Sequence, residues 1–345
     1  VAPMKHVLLA LLILATVLAA AGCHRGAQPS GPAVYKDTQL LIGTTVTITL
    51  YGDDERKLKR AAGAGFAEIE RLNAVFSRYD PKSELSKLNV KAARGGTFPV
   101  SAELAGILNL CLELCRETQG AFDITVGPLS AVWRNARESG KTPSDTEIRE
   151  AMKKTGCARL SVDKKKNTAT FRAPGMSLDL GGIAKGYITE SAMRVIKGHG
   201  VQSAMINAGG DITASGTKPG GDLWALGIQN PRDPDDVLAR VLLKDAAVAT
   251  SGDYQQFFEK NGRRESHIID PRTGHGAAET ISVTVIAPDN TLADTLATAL
   301  SVLGPEQGFE VLKKNFPQAH ALIITPDKKL HYSPGFKKFM AGQYR

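Results

Sequence analysis

The chain is 345 residues long, 42% hydrophobic and 23% charged, with a formal net charge of +8. Its hydrophobic share excludes a disordered chain and suits one large domain or two small ones. The basic residues are scattered or sit in the short turn "DKKKNTAT" at 163–170, which describes a solvated face or a mild attraction to anionic surfaces and phosphate esters, so no nucleic-acid partner is expected.

Residues 4–23, "MKHVLLALLILATVLAAAGC", place one lysine before a short apolar run and small residues before Cys23. This is the pattern of an export leader, too short for an ordinary membrane span. "AAAGC" is similar to a lipoprotein cleavage box, with Ala20 where such boxes usually carry leucine, and predicts a lipid-bearing Cys23. Residues 1–23 therefore read as signal peptide, 24–37 as a flexible tether and 38–345 as the folded domain. Cys111, Cys115 and Cys157 are left, an odd number, so no full disulfide framework is expected. Cys111 and Cys115 share one helix with parallel Cβ directions, which disfavours a bridge and makes them small buried hydrophobes.

"TQLLIGTTVTITLY", 38–51, alternates like a strand, and the following stretch to Ser77 has Phe66, Ile69, Leu72 and Phe76 on one helical side. A second helix opens at Ser101 as N-cap and closes at Gly120. "PLSAVWRNARESGKTPSD" reads as a polar surface loop, and 158–182 as two or three strands in a hairpin. Helix returns in "IAKGYITESAMRVIKGHG", then strands at "SAMINAGGDITASG", "LWALGIQ", "VLARVLLKDAAVATS", "SHIID" and "TISVTVIA". Helices at 293–304 and "PEQGFEVLKKNF" and a strand at "HALIIT" complete the chain. Hairpins interspersed with helices make the fold class α+β.

The chemistry is concentrated in a few stretches. "SLDLGGIAKGYITE" sets an acid at a strand end, two glycines in a turn and a lysine in the next helix's first turn, which serves either as an anion cradle or simply as a tight strand-to-helix turn. "INAGGDITASG" and "GAFDITVGPLS" each put an aspartate beside small residues, where turn formation is the commoner use. In "ADTLATALSVLG", Asp294 and Thr298 lie four residues apart on one side of an otherwise apolar helix. A carboxylate there needs a partner, and the residues leave open a distant base, a proton or a metal.

Taken in order, "FSRYDPKSELSKLN", "GAFDITVGPL", "DLGGIAKGY", "INAGGDI", "HIIDPRTG" and "ADTLATALSVLG" strongly resemble the ApbE family of bacterial FAD:protein FMN transferases, from about Thr38 to about Pro334. The resemblance implies an ApbE-like, T-fold-like α+β architecture of mixed or antiparallel sheets with packed helices and an FAD pocket between lobes. It implies Mg²⁺ held by Asp294, Thr298 and the backbone oxygen of Gly182, an all-oxygen set suited to that ion. It implies flavin contacts at Ile42, Ser77, Arg78, Tyr79, Ala121, Phe122, Asp123, Asp179, Lys185 and Ile268. Tyr79 and Phe122 offer rings for stacking, and Lys185 complements phosphate. Ile42 stands where the family usually has methionine, and Gly276 where it often has proline.

The implied reaction moves the FMN half of FAD onto a threonine of another protein and releases AMP, with His267 as the base for the attacking hydroxyl. Acceptors in the family are subunits of membrane redox complexes, of the sodium-pumping NADH:quinone oxidoreductase and Rnf kinds. With the lipid anchor, this places the protein on the periplasmic side of the inner membrane. The rivals are an FAD pyrophosphatase giving FMN and AMP, and a flavin-binding lipoprotein without turnover, which would need neither metal ligands nor a base.

Overall fold

The computed structural model describes residues 31–252, 257–260 and 263–342. The expected signal peptide, Cys23 and the first part of the expected tether lie outside the described residues. The chain enters a hairpin of β1 (Ala33–Leu41) and β2 (Thr44–Gly52), in full register from Ala33↔Gly52 to Leu41↔Thr44. Strand therefore begins inside the stretch read as tether, and the single strand read at 38–51 is two. The reversal is at Ile42 and Gly43, both at positive φ (49° and 76°). A β-branched residue is a poor turn former at positive φ, so "IG" carries little turn signal in the sequence.

Eight strands form one antiparallel sheet in the order β1-β2-β6-β7-β10-β13-β14-β15. Here β6 is Ser203–Ala208, β7 Asp211–Ser215, β10 Ala246–Gly252, β13 Ser282–Ala287, β14 His320–Ile324 and β15 Leu330–Tyr332. Every residue of β13 is buried, because both sheet faces are covered. Ala247, Ala249, Val283 and Val285 face the main core, while Val248 and Ile286 join Trp224, Val241 and Phe336 on the other side. That second cover is the hairpin β8 (Trp224–Asn230) and β9 (Asp233–Leu243). The small hairpin β11 (Phe257–Lys260) and β12 (Arg263–Ser266) precedes the His267 segment.

On the main-core face lie α1 (Glu55–Phe76), α6 (Ala184–Gly198) and α7 (Asn290–Asn315). Asp54 caps α1 by accepting from the Arg56 and Lys57 N–H groups, and its apolar side buries Phe66, Ile69, Leu72 and Phe76 as the periodicity predicts. The two C-terminal helices expected from sequence are one run broken at Gly304 (φ 69°, ψ −175°), next to Pro305. Flanking them are α2 (Glu84–Ala92), α3 (Ala102–Glu117) and a three-stranded sheet β3-β5-β4 from Gly96–Pro99, Thr168–Phe171 and Leu160–Asp163. Ser101 caps α3 through Leu104 N–H, as predicted.

Two readings are corrected here. The stretch taken as a surface loop contains α4 (Gly127–Ser139), followed by α5 (Asp145–Met152). Pro128 starts α4, Gly140 ends it in the left-handed region, and Leu129, Trp133 and Ala136 pack a third small core with Ile148, Ala151 and Ile269. The polar composition hid three apolar residues at helical spacing. Secondly, Cys115 pairs with Cys157 in a disulfide, leaving Cys111 as the buried free thiol. Cys157 returns 42 residues later to the last turn of α3, a contact that spacing along one helix does not show. No described helix is long and apolar enough to cross a membrane.

Candidate active site

The segment Met176–Leu180 before α6 is where distant motifs meet. Asn89 of α2 clamps Leu178 from both sides, its Nδ2 donating to the Leu178 carbonyl (2.9 Å) and its Oδ1 accepting the Leu178 N–H (2.7 Å). Asp179 N–H donates to the Ile124 carbonyl (2.8 Å), so "GAFDI" and "SLDLGG" run side by side. The Asp179 carboxylate takes an ion pair from Arg78, the Ser130 hydroxyl (2.9 Å) and the Gly181 N–H (3.0 Å). Three stretches far apart in sequence, around Arg78, residues 124–130 and Asp179, thus meet at one acid.

At the next turn the backbone approaches α7. A Cβ on Gly186 would lie 2.1 Å from the Asn290 carbonyl oxygen, and one on Gly182 would lie 2.8 Å from Thr298 Oγ1. Only glycine lets the turn and the helix meet this closely. Asp294, 4% exposed, accepts the Gly186 N–H through Oδ2 (3.0 Å). Burial pushes its pKa up to about 7, and the Asp211 charge adds to the rise; Lys185 and the Gly186 N–H oppose it. Asn290 fixes the crossing by donating to Thr189 Oγ1 (2.8 Å). Gly182 thus lies against Thr298, with Asp294 one turn earlier on the same helix. Their donors are all oxygen, and a buried carboxylate with a single hydrogen-bond donor fits a hard cation. Gly182, Asp294 and Thr298 could hold Mg²⁺. Among the described residues, the cluster Cys115, Asp123 and Cys157 has the spacing for a metal, but its two sulfurs are bonded to each other.

Lys185, in the first turn of α6, has its Nζ 2.7 Å from Asp211 Oδ2. Burial alone would lower its pKa, and the Asp211 and Asp294 carboxylates outweigh that, so the lysine is held as an ammonium. Its side chain remains 32% exposed and can meet a phosphate.

The flavin-contact residues divide sharply. Tyr79 is 78% exposed, with the Arg78 guanidinium 4.9 Å from its ring centre, and presents an aromatic face to an incoming ring. Arg78 is half-buried, and its Nε makes no hydrogen bond among the described residues. Ser77 Oγ accepts the Tyr79 and Asp80 N–H groups (3.2 and 3.1 Å), closing the turn after α1. Phe122 is 3% exposed in the main core, which corrects its reading as a stacking surface. Ala121 is equally buried. Asp123 accepts Thr125 N–H and Oγ1 at one oxygen (2.8 and 2.6 Å) and Cys157 N–H at the other (2.8 Å), so its carboxylate holds the turn together.

Ile42 occupies the β1–β2 turn beside the β6–β7 turn, where Gly209 N–H donates to the Thr45 carbonyl (3.1 Å). His267 is half-buried and Ile268 buried; Ile268 passes its carbonyl to Ala277 N–H (2.7 Å). The "HIIDPRTG" turn is docked on α4, where Trp133 Nε1 donates to the Gly274 carbonyl (2.7 Å). The sequence pattern marks Asp211 only as a turn former and does not mark Asn89, Ser130 or Trp133 at all. Their polar groups bind backbone or other motif residues, and nothing in the local pattern marks such a partner.

This architecture belongs to a known class: residues 42–323 match the ApbE family, and the chain is a member of it. Its relatives include the FAD:protein FMN transferase of Vibrio cholerae, 33% identical over 96% of this chain and 98% of that protein. Another is the FAD:protein FMN transferase of Haemophilus influenzae, 31% identical over 93% and 94%. The crystal structure of the ApbE protein from Thermotoga maritima superposes with a TM-score of 0.82 at 34% identity, covering 90% of this chain and all of that one. The antiparallel α+β fold expected from the sequence is the observed one.

Proposed function

We propose that this protein is an FAD:protein FMN transferase that uses Mg²⁺ and a threonine hydroxyl of a partner protein. Family membership supports the reading, and the observation that carries it is the seating of Gly182 on Thr298 beside the buried Asp294. In the reaction, the threonine oxygen attacks the phosphorus nearer riboflavin. The new oxygen–phosphorus bond forms as the bond to the AMP phosphate breaks, AMP leaves, and the hydroxyl proton passes to His267. Lys185 faces the charge that builds on the pyrophosphate, and Tyr79 lies against the isoalloxazine ring. Bound Mg²⁺ would neutralise pyrophosphate oxygens from the Gly182, Asp294 and Thr298 side.

A lipid on Cys23 would keep the enzyme on the periplasmic side of the inner membrane, where the acceptor is a subunit of a membrane redox complex. Incubation with FAD, Mg²⁺ and a threonine-containing acceptor tests the reading by intact mass. An acceptor gain equal to FMN less one water, with one AMP per transfer, is expected. Release of FMN and AMP with unmodified acceptor would make water the substrate and the protein a pyrophosphatase; bound FAD without turnover would leave a carrier.

A further inference from the structure

Asp211 is a buried acid that the reaction above does not use. It opens β7 just past the β6–β7 turn and is 2% exposed. The ladder between β7 and β10 ends at Ile212↔Val248, and two residues further on the Thr250 backbone N–H donates to the Asp211 carboxylate. The acid is therefore fixed by the sheet. Its other contact is the Lys185 ammonium at 2.7 Å.

Lys185 has a second acid within reach of its charge. Gly186, its neighbour in the chain, donates its N–H to Asp294 at 3.0 Å, so α6 brings the lysine within reach of the charge on the carboxylate that would bind the cation. An ammonium paired with Asp294 would compete directly for that ligand. The sheet-anchored acid on the opposite side supplies an alternative partner. We propose that Asp211 is a positioning residue that holds Lys185 away from Asp294 and so keeps that carboxylate available to a divalent cation.

This inference rests on reading Gly182, Asp294 and Thr298 as the cation site. It is tested on the full chain without FAD, with Mg²⁺ binding measured by calorimetry and Mn²⁺ binding by electron paramagnetic resonance. Asp211→Asn keeps an acceptor for Thr250 N–H while removing the charge. It should weaken cation binding about 10- to 100-fold, the scale of losing an outer partner of a metal ligand. In a Lys185→Met background the same change should alter affinity less than about twofold, because the effect passes through the lysine. Equal losses in both backgrounds would make Asp211 a direct attractor of the cation and overturn the proposal. So would an unchanged affinity in Asp211→Asn with the wild type binding normally. If the wild type binds neither ion, the site reading falls as well. Should Asp211→Asn fail to fold, Lys185→Met alone decides: affinity at or above wild type is expected, and a tenfold loss overturns the inference.

Discussion

The two walls of the site use their polar residues differently. Along α7, Gly182 lies against Thr298, and the Asp294 carboxylate takes the Gly186 N–H as its one hydrogen bond among the described residues. On the other wall, ending at Asp179 where the DLGG turn begins, the polar residues are engaged by the protein itself: Ser77 closes a turn, Asp123 holds Thr125 and Cys157, and Asp179 binds Arg78, Ser130 and Gly181. The first wall carries the residues proposed to hold the cation. The second is a scaffold whose motif residues bind one another, with Tyr79 exposed beside them. A recurring motif residue is thus not by that fact a ligand contact; on one wall it is the chemistry and on the other the masonry.

The largest separation between the walls should come from Asp294→Ala. It is expected to abolish Mg²⁺-dependent transfer and cation binding while the protein stays folded, since it removes the one formal charge among the three expected ligands and a carboxylate that burial disfavours. Thr298→Ala should cost less, because water can replace a neutral oxygen ligand. Unchanged Mg²⁺ affinity in Asp294→Ala, measured calorimetrically in the FAD complex, would sink the metal assignment.

Next in size is His267→Asn. If His267 accepts the threonine proton, single-turnover transfer at saturating FAD should fall roughly 10²- to 10⁴-fold with FAD and Mg²⁺ binding retained. The wild-type rate should drop as pH falls through the range in which imidazole takes up a proton, and the mutant should lack that limb, because only the neutral ring accepts. A mutant that keeps the limb and a normal chemical step would remove His267 from the reaction.

The scaffold wall predicts the reverse pattern. Asp123→Ala strips an acceptor from Cys157 N–H and from Thr125 N–H and Oγ1, and leaving buried donors unmade costs ~1–3 kcal/mol each. Chemical denaturation should show a loss of about 2 kcal/mol or more, with FAD affinity falling because the turn loosens. Tyr79→Ala, on an exposed side chain, should leave the denaturation midpoint in place and weaken FAD by up to about tenfold, the worth of one aromatic stack. If instead Tyr79→Ala destabilises the fold and Asp123→Ala affects only FAD, the division of the walls is wrong.

That division also explains what was legible in the sequence. Asp294 and Thr298 stood out because a polar pair on an apolar helix contradicts its surroundings, and the helix formed where its period placed it. Ser77 and Asp123 were assigned to the flavin because a turn cap and a ligand contact call for the same residue types. Nothing local distinguishes the two. Asp211 was set aside as a turn former for the same reason; its value lies in Lys185 and Thr250, 26 and 39 residues away in opposite directions. The β1–β2 reversal at Ile42 and the helix α4 were missed where a residue sits in a conformation its type disfavours, or where three apolar residues are diluted by charge.

The smallest expected effect sharpens the crossing that carries the cation wall. Glu190 on α6 accepts the Asn290 N–H at the start of α7 (3.3 Å) and is half-buried. Burial raises its pKa above the ordinary glutamate value; the Asn290 N–H opposes the rise and the Asp289 charge adds to it. A carboxyl whose pKa is higher folded than unfolded binds its proton more tightly in the native state. Its contribution to stability is complete below the unfolded value and is lost as pH rises through the folded one. Glu190→Gln keeps an oxygen for Asn290 N–H but cannot ionise. The mutant should match the wild type near pH 4 and melt higher at pH 7, by ~1–3 °C for a protein of this size. A mutant that melts lower at pH 7 would mean that the ionised carboxylate strengthens the α6–α7 crossing, and the hydrogen bond to Asn290 would then outweigh burial at this junction.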